Sequence, residues 1–363
     1  MSDIPSAFSQ SYAEARRKFL ATCETLGLDV ESHIHPMLGR DGESLAMDVV
    51  RHGPRDAKRL LILSSACHGV EGFAGSGIQI ALLGDPHWRE AVQASGVAVL
   101  YLHALNPYGF SWWRRVTHEN VDLNRNFHDF SRPLPRNDAY DEIHGWLLPP
   151  QWPPPPDVEA AIQAYIERHG PMAFQAAVSQ GQYTHADGLY YGGRHPTWSH
   201  VTLRHVLREQ GRQATDIAWI DLHTGLGPCG HGERIFASRN DPVELARARR
   251  WWGPQVTSIY DGSSSSAELT GMMWLAIFDE CPQARYTGIA LEYGTVPVLE
   301  VLHALRGEHW VENHPEADET LRKALKQRLR DAFYVDTDDW KQRLVEQALQ
   351  AGLQALRGLC SRD

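Results

Sequence analysis

Thiols are scarce in this chain: five cysteines in 363 residues (Cys23, Cys67, Cys229, Cys281 and Cys360), odd in number, scattered and never spaced CxxC. That pattern excludes a cysteine-rich structural zinc site and offers no disulfide framework. No apolar run approaches the roughly 20 residues that a membrane span needs. Basic residues are outnumbered 35 to 45, giving a formal net charge of −10. That sign argues against nucleic acid or an anionic membrane as the partner. The amino-terminal MSDIPSAFSQSYAEARRKF lacks the basic-then-apolar order of a secretory signal, so the expected location is cytoplasmic. Helix-borne HExxH is missing as well, which removes the helix-based metalloproteases.

What is present is the balance of a globular protein, with 42% hydrophobic and 22% charged residues. The 19 histidines are many for this length and point toward metal chemistry. Residues 8–27 carry a helical pattern, and strand-like runs at 28–37 and 44–52 flank the turn signal Gly39-Arg40-Asp41-Gly42. Leu60-Leu61-Ile62-Leu63 reads as a strand buried on both faces, followed by a helix over 74–83. Further strands are expected over 97–103, ending at 221–223, over 233–238 and over 288–293. Helices are expected over 157–169, capped by Asp157, and over 297–306, 316–333 and 337–358. Strands alternating with helices imply an α/β fold with a largely parallel sheet. The stretch 132–156, with Trp146, Trp152 and Pro153 to Pro156, reads as an extended surface insertion. No repeat is visible, and one catalytic domain over 1–363 is the simplest organisation.

Chemistry gathers where strands end. His68 and Glu71 form an H-x-x-E pair directly after a buried strand, and the glycines at 69 and 72 argue for a tight loop that can fold both side chains toward one point. Imidazole and carboxylate both suit zinc, and a catalytic site takes three protein ligands plus water. His309-Trp310-Val311-Glu312 has the same spacing but is expected at a charged, exposed helix end. His68 instead stands where open α/β sheets bind ligands. A third ligand is available at His223, in Asp221-Leu222-His223-Thr224-Gly225, where an apolar strand becomes loop. Arg114-Arg115 precede Asn120-Val121-Asp122-Leu123-Asn124-Arg125-Asn126-Phe127. An arginine beside an asparagine suits a carboxylate, and a second arginine suits the charge that builds on a carbonyl oxygen. Glu292 ends the strand Gly288 to Leu291. Partial burial there raises a carboxylate toward the range useful for taking a proton from metal-activated water.

In order, H-x-x-E, N-P-x-G, V-D-L-N-R-N-F, D-L-H-T-G and L-E-Y-G resemble the zinc carboxypeptidases of the carboxypeptidase A superfamily across residues 60–295. The resemblance implies a mixed, mainly parallel eight-stranded sheet flanked by helices. It implies that His68, Glu71 and His223 bind Zn2+, and that Asn124 and Arg125 hold the substrate carboxylate. Arg115 would polarise the scissile carbonyl, with Arg114 an almost equal candidate because the intervening loop is short. Glu292 would be the general base and would later protonate the leaving amine. A tyrosine over the substrate has two candidates, Tyr260 and Tyr286. The Gly- and Tyr-rich segment 180–193 resembles a feature of a poorly characterised bacterial branch and lines a pocket or forms turn and edge structure.

The first function this supports is a zinc-dependent hydrolase cutting an amide or peptide bond next to a free carboxylate. A second keeps the metal and removes acyl groups from N-acyl amino acids, as in the aspartoacylase and succinylglutamate desuccinylase branch. A third is a non-enzymatic metal-binding protein on the same fold. The expected partner is a small peptide or N-acyl amino acid, and the ligand types also admit cobalt or manganese.

Overall fold

Near-continuous apolar runs on strands at the chain's centre give a sheet that is buried on both faces. The computed structural model describes residues 3–361; the ends of the expected domain, residues 1–2 and 362–363, lie outside them. Its strands are β1 (Val30–Leu38), β2 (Ser44–His52), β3 (Arg59–Ser64), β4 (Ala98–His103), β5 (Asp216–Cys229), β6 (Gly232–Phe236) and β7 (Arg285–Gly294). They form one mixed sheet in the order β1-β2-β4-β3-β5-β7-β6. The centre, β4-β3-β5-β7, is parallel, and the antiparallel pairs lie toward the two edges.

The sheet has seven strands among the described residues, not the eight that the resemblance implied. Beyond β6 the chain makes a single bridge, Ile235 to Thr257. It then turns away through Asp261 and Gly262 (φ +73°), with the Ser258 N–H held by the Ser263 hydroxyl instead of a neighbouring strand. Alternation sorts the core onto two faces. Leu61, Leu63, Ile220, Leu222, Ile289 and Leu291 join one cluster, which includes helices Gly72–Gly84 and Asp338–Cys360. Leu60, Ile62, Trp219 and Ala290 join the other, with helix Trp198–Gly211.

The stretch 132–156 is less extended than its prolines suggest. It contains a helix, Asp138–Leu147, whose cap residue Asn137 accepts from the Tyr140 N–H, and whose Tyr140, Ile143 and Leu147 are buried. Pro156 opens the next helix, Pro156–His169, with Pro155 at the cap position. Asp157 therefore lies in the first turn and caps nothing, since a proline fits the first helical position, where no N–H is needed. No helix among the described residues is long and apolar enough to cross a membrane.

Three features aim the sheet at a site. The chain leaves β3 through Ala66 (φ +56°) and reaches His68, then a 3-10 turn, Gly69–Glu71, that runs straight into helix Gly72–Gly84. Gly69 lies so close to the Gly109 backbone that a β-carbon would meet its carbonyl carbon at 2.1 Å. Its N–H and that of Val70 donate to the Arg115 and Arg114 carbonyls at 3.0 and 2.8 Å, which sets Arg115 beside the turn. β5 and β7 pair in register, so His223 stands directly beside Glu292.

Candidate metal centre

His223 does not end its strand as expected: β5 continues to Cys229, but its register with β7 breaks between Thr224 and Cys229. The break begins just after Thr224, and the backbone N–H groups of Thr224 and Leu226 turn to side chains. Thr224 donates to Glu71 Oε2 at 3.1 Å and Leu226 to Glu292 Oε1 at 3.0 Å. The bulge therefore orients both glutamates.

His68, Glu71 and His223 converge, with one ligand atom from each lying within 4.8 Å of the others. All three are buried, at 4%, 1% and 4% exposure. The two imidazoles turn their Nδ1 atoms to opposite oxygens of Glu71: His68 at 2.8 Å from Oε1, His223 at 3.0 Å from Oε2. Each Nε2 reaches a buried aspartate. His223 Nε2 makes a short contact with Asp221, and His68 Nε2 lies 3.3 Å from Asp122 Oδ1. His68 Nε2 is also 2.7 Å from an Arg115 nitrogen, so either tautomer finds a partner. Bound through Nδ1, each ring would keep its proton on Nε2 and donate it to an aspartate, the arrangement that fixes ring orientation at metal sites. Two imidazole nitrogens and a carboxylate on one point, each backed this way, fit a divalent ion of the zinc type.

Charge in the cluster follows burial and neighbours. Burial pushes Glu71 up, yet the facing His68 and His223 outweigh it and hold the carboxyl well below its usual range. Burial pushes His223 down, but Asp221 and Glu71 hold its imidazole well above the ordinary value. Glu292 is pushed up to about 8, first by burial and then by the negative charge of Glu71, with His223 opposing.

Arg115 donates Nε to Asp122 at 3.0 Å and Nη1 to Glu71 at 3.3 Å. Arg114 points elsewhere: its Nε donates to Glu308 at 2.8 Å, and its Nη2 to Asn120 Oδ1 at 3.1 Å. Of the adjacent arginines, only Arg115 joins the centre. Arg125 is held by the Ser179 and Asn124 carbonyls through three of its five N–H donors. The Asn124 Oδ1 accepts from the Met273 N–H at 2.9 Å, leaving Nδ2 as its donor end. Both residues line the same cavity as the three metal-site residues, Arg115 and Glu292, a space of about 370 Å³.

The family described as "Protein of unknown function (DUF2817)" matches residues 8–347. The chain belongs to that family. No curated protein matches the sequence. Among solved structures, the chain is similar to carboxypeptidase A from Helicoverpa armigera at 12% identity and a TM-score of 0.44, covering 94% of this chain and 74% of the other. It is similar also to bovine thrombin-activatable fibrinolysis inhibitor in complex with tick carboxypeptidase inhibitor, at 11% identity and a TM-score of 0.48, covering 97% and 98%. Likeness at that level transfers no chemistry, which has to come from the side chains.

Several residues of this family member fall where its sequence did not suggest. Tyr260 and Tyr286 are spent on structure, donating to the Ser238 and Ala237 carbonyls at 2.9 Å each, and neither lines the cavity. Tyr190 does line it, from the 180–193 segment, with the Arg115 and Arg125 guanidinium carbons 4.9 and 5.5 Å from its ring centre. Its backbone is left-handed, at φ +53°. The same segment also makes edge structure, bridging Gln182 to Tyr191. Asp122 and Asp221, each inside a motif, back the two imidazoles, a role that the motifs alone do not indicate. For Asp221 a signal existed: two residues before His223 on a strand means the same face.

Proposed function

We propose that this chain is a zinc-dependent hydrolase that cleaves an amide or peptide bond next to a free carboxylate. The observation that carries this reading is the convergence of His68, Glu71 and His223 within 4.8 Å, in a cavity that also presents Glu292 and Arg125. The residues for binding, for charge stabilisation and for proton transfer are thus present together. His68, Glu71 and His223 would hold the ion. When bound, zinc supplies Lewis acidity, enough to bring a water's pKa to about 7 in favourable sites.

The protein's own groups divide the remaining work. Arg125 and Asn124 receive the substrate carboxylate, the guanidinium with its unused donors and the amide through Nδ2. This fixes the scissile amide relative to Glu292. Arg115, already held by Asp122, places a positive charge where a carbonyl oxygen would become negative. Glu292 accepts a proton from the attacking water and returns it to the leaving nitrogen. In the metal-free protein a carboxyl pushed up to about 8, first by burial, keeps its proton at neutral pH; a bound cation would draw it lower and so free it to accept one. A metal-binding protein without chemistry would have no use for a buried carboxylate beside the ligands whose pKa stays raised despite the opposing charges of His223 and Arg115.

Two variants test the assignment. Glu292→Gln should keep one zinc per chain by elemental analysis and lose about 10²–10⁴-fold in kcat on an N-blocked dipeptide. His223→Ala should instead lose the metal. Wild-type turnover by zinc-loaded Glu292→Gln would refute the role of Glu292.

A further inference from the structure

The cavity is charged only at its metal end. Ile235 and Ala290 lie opposite each other on β6 and β7, on the face that carries Glu292, and Ile259 and Trp274 extend that wall. A second wall is built by Ile166, Phe174 and Val178, with Val301, Leu302 and Leu305 of helix Val298–Asn313. Apolar lining continues to the surface at Val298 and Leu299, which are 50% and 62% exposed. Among the described residues that line the cavity, the carboxylates are Glu71 and Glu292 alone, and the guanidiniums are Arg115 and Arg125 alone.

This distribution limits the acyl half of the substrate. A peptide with a free amino terminus would bring an ammonium group into a space whose two carboxylates are committed to the metal and the proton. A succinyl or aspartyl group would bring a second carboxylate. Arg125 would already hold the first one, and Arg115 is paired with Asp122 and Glu71. A buried charge without a partner is strongly disfavoured, whereas apolar walls reward an aliphatic or aromatic group. We infer that the substrates are N-acyl amino acids whose acyl group is uncharged and apolar, neither peptides with a free amino terminus nor acidic acyl conjugates. The inference rests on the hydrolase reading above and narrows it. In the reaction water adds across the amide C–N bond. The acyl carbon gains the oxygen and leaves as a carboxylic acid, and the nitrogen gains a proton and leaves as the amine of a free amino acid.

The test compares four amides of phenylalanine with the zinc-loaded full chain: N-octanoyl, N-benzoyl, N-succinyl and leucyl. The octanoyl and benzoyl compounds should exceed the other two in kcat/KM by about 100-fold or more. Equal or faster cleavage of leucyl-phenylalanine or succinyl-phenylalanine overturns the inference while leaving the hydrolase reading intact. Hydrolysis of none of the four by chain carrying one zinc overturns the hydrolase reading. Binding then decides the rest: calorimetry on metal-free protein should show N-octanoyl-phenylalanine tighter than leucyl-phenylalanine, and the reverse order sinks the inference. Leu302→Glu, in the half-buried part of the second wall, should raise leucyl-phenylalanine relative to octanoyl-phenylalanine. An unchanged ratio in a folded variant counts against it.

Discussion

The H-x-x-E spacing occurs three times in the chain, at His68/Glu71, His87/Glu90 and His309/Glu312, and the surroundings of the first and the last differ in sign. On helix Val298–Asn313, Glu308 is paired with Arg114 at 2.8 Å and Lys326 at 2.6 Å. Glu312 meets Lys326 at 2.9 Å and Arg322 at 3.5 Å. His309, expected to be exposed, is buried beside Glu308, at 1% exposure. Protein cations thus already answer the acids there. Around the first pair, the guanidiniums that answer Glu71, Asp122, Asp221 and Glu292 are, among the described residues, those of Arg115 and Arg125. Protons make up the deficit in the metal-free protein, on His223, whose imidazole is held well above its ordinary value, and on Glu292, pushed up to about 8. A divalent ion would replace them. Spacing says little about a metal site, whereas an excess of buried negative charge says a great deal.

That contrast can be broken by metal content. His68→Ala should abolish stoichiometric zinc, and with it the rise in thermal stability on adding zinc, worth about 4 kcal/mol at a thousandfold excess over Kd. His309→Ala should lose stability from the emptied core position and keep one zinc per chain by elemental analysis. The opposite pattern would move the site to the helix. A smaller effect should follow from Asp221→Asn, which leaves all three ligands in place but weakens the acceptor behind His223. Zinc affinity in a competition with a chelator should fall by about 10–100-fold. Glu308→Gln, the counterpart carboxylate in the other region, should leave it unchanged.

How much of this was legible beforehand depends on the range of the interaction. The meeting of His68, Glu71, His223 and Glu292 was readable because parallel strands bring their carboxyl-terminal parts to one edge of a sheet: His68 and Glu71 follow β3, and His223 and Glu292 lie near the end of the paired stretch of β5 and β7. The choice between Arg114 and Arg115 was not. They are neighbours, and their opposite directions are set by tertiary partners, Glu308 on one side and Asp122 on the other. Tyr190 was hidden because its place over two arginines depends on a left-handed residue in an irregular segment, where no period applies. The helix Asp138–Leu147 was masked by flanking prolines, although Tyr140, Ile143 and Leu147 recur at helical spacing. An eighth strand came from the resemblance, and the turn at Gly262 explains why pairing beyond β6 stops at one bridge.

The finest distinction between the two regions is the sign of their pH dependence. Glu292 has a folded-state pKa of about 8 against an ordinary 4.5. Between those values the folded metal-free protein keeps a proton that the unfolded chain has released. Linkage then makes stability fall as pH rises through that window. Glu308 is the reverse case. Burial pushes it up, but Arg114 and Lys326 outweigh burial and hold it well below its ordinary value. Its contribution is present at neutral pH and is lost as pH falls below the ordinary carboxylate range. In chelator-treated protein at pH 8.5, Glu292→Gln should therefore raise the denaturation midpoint and Glu308→Gln should lower it. At pH 5 the gain from Glu292→Gln should have largely vanished, while most of the loss from Glu308→Gln persists. Midpoints lowered by both substitutions at pH 8.5 would mean that both glutamates sit among enough cations, and the negative excess that draws a metal to His68, Glu71 and His223 would not exist.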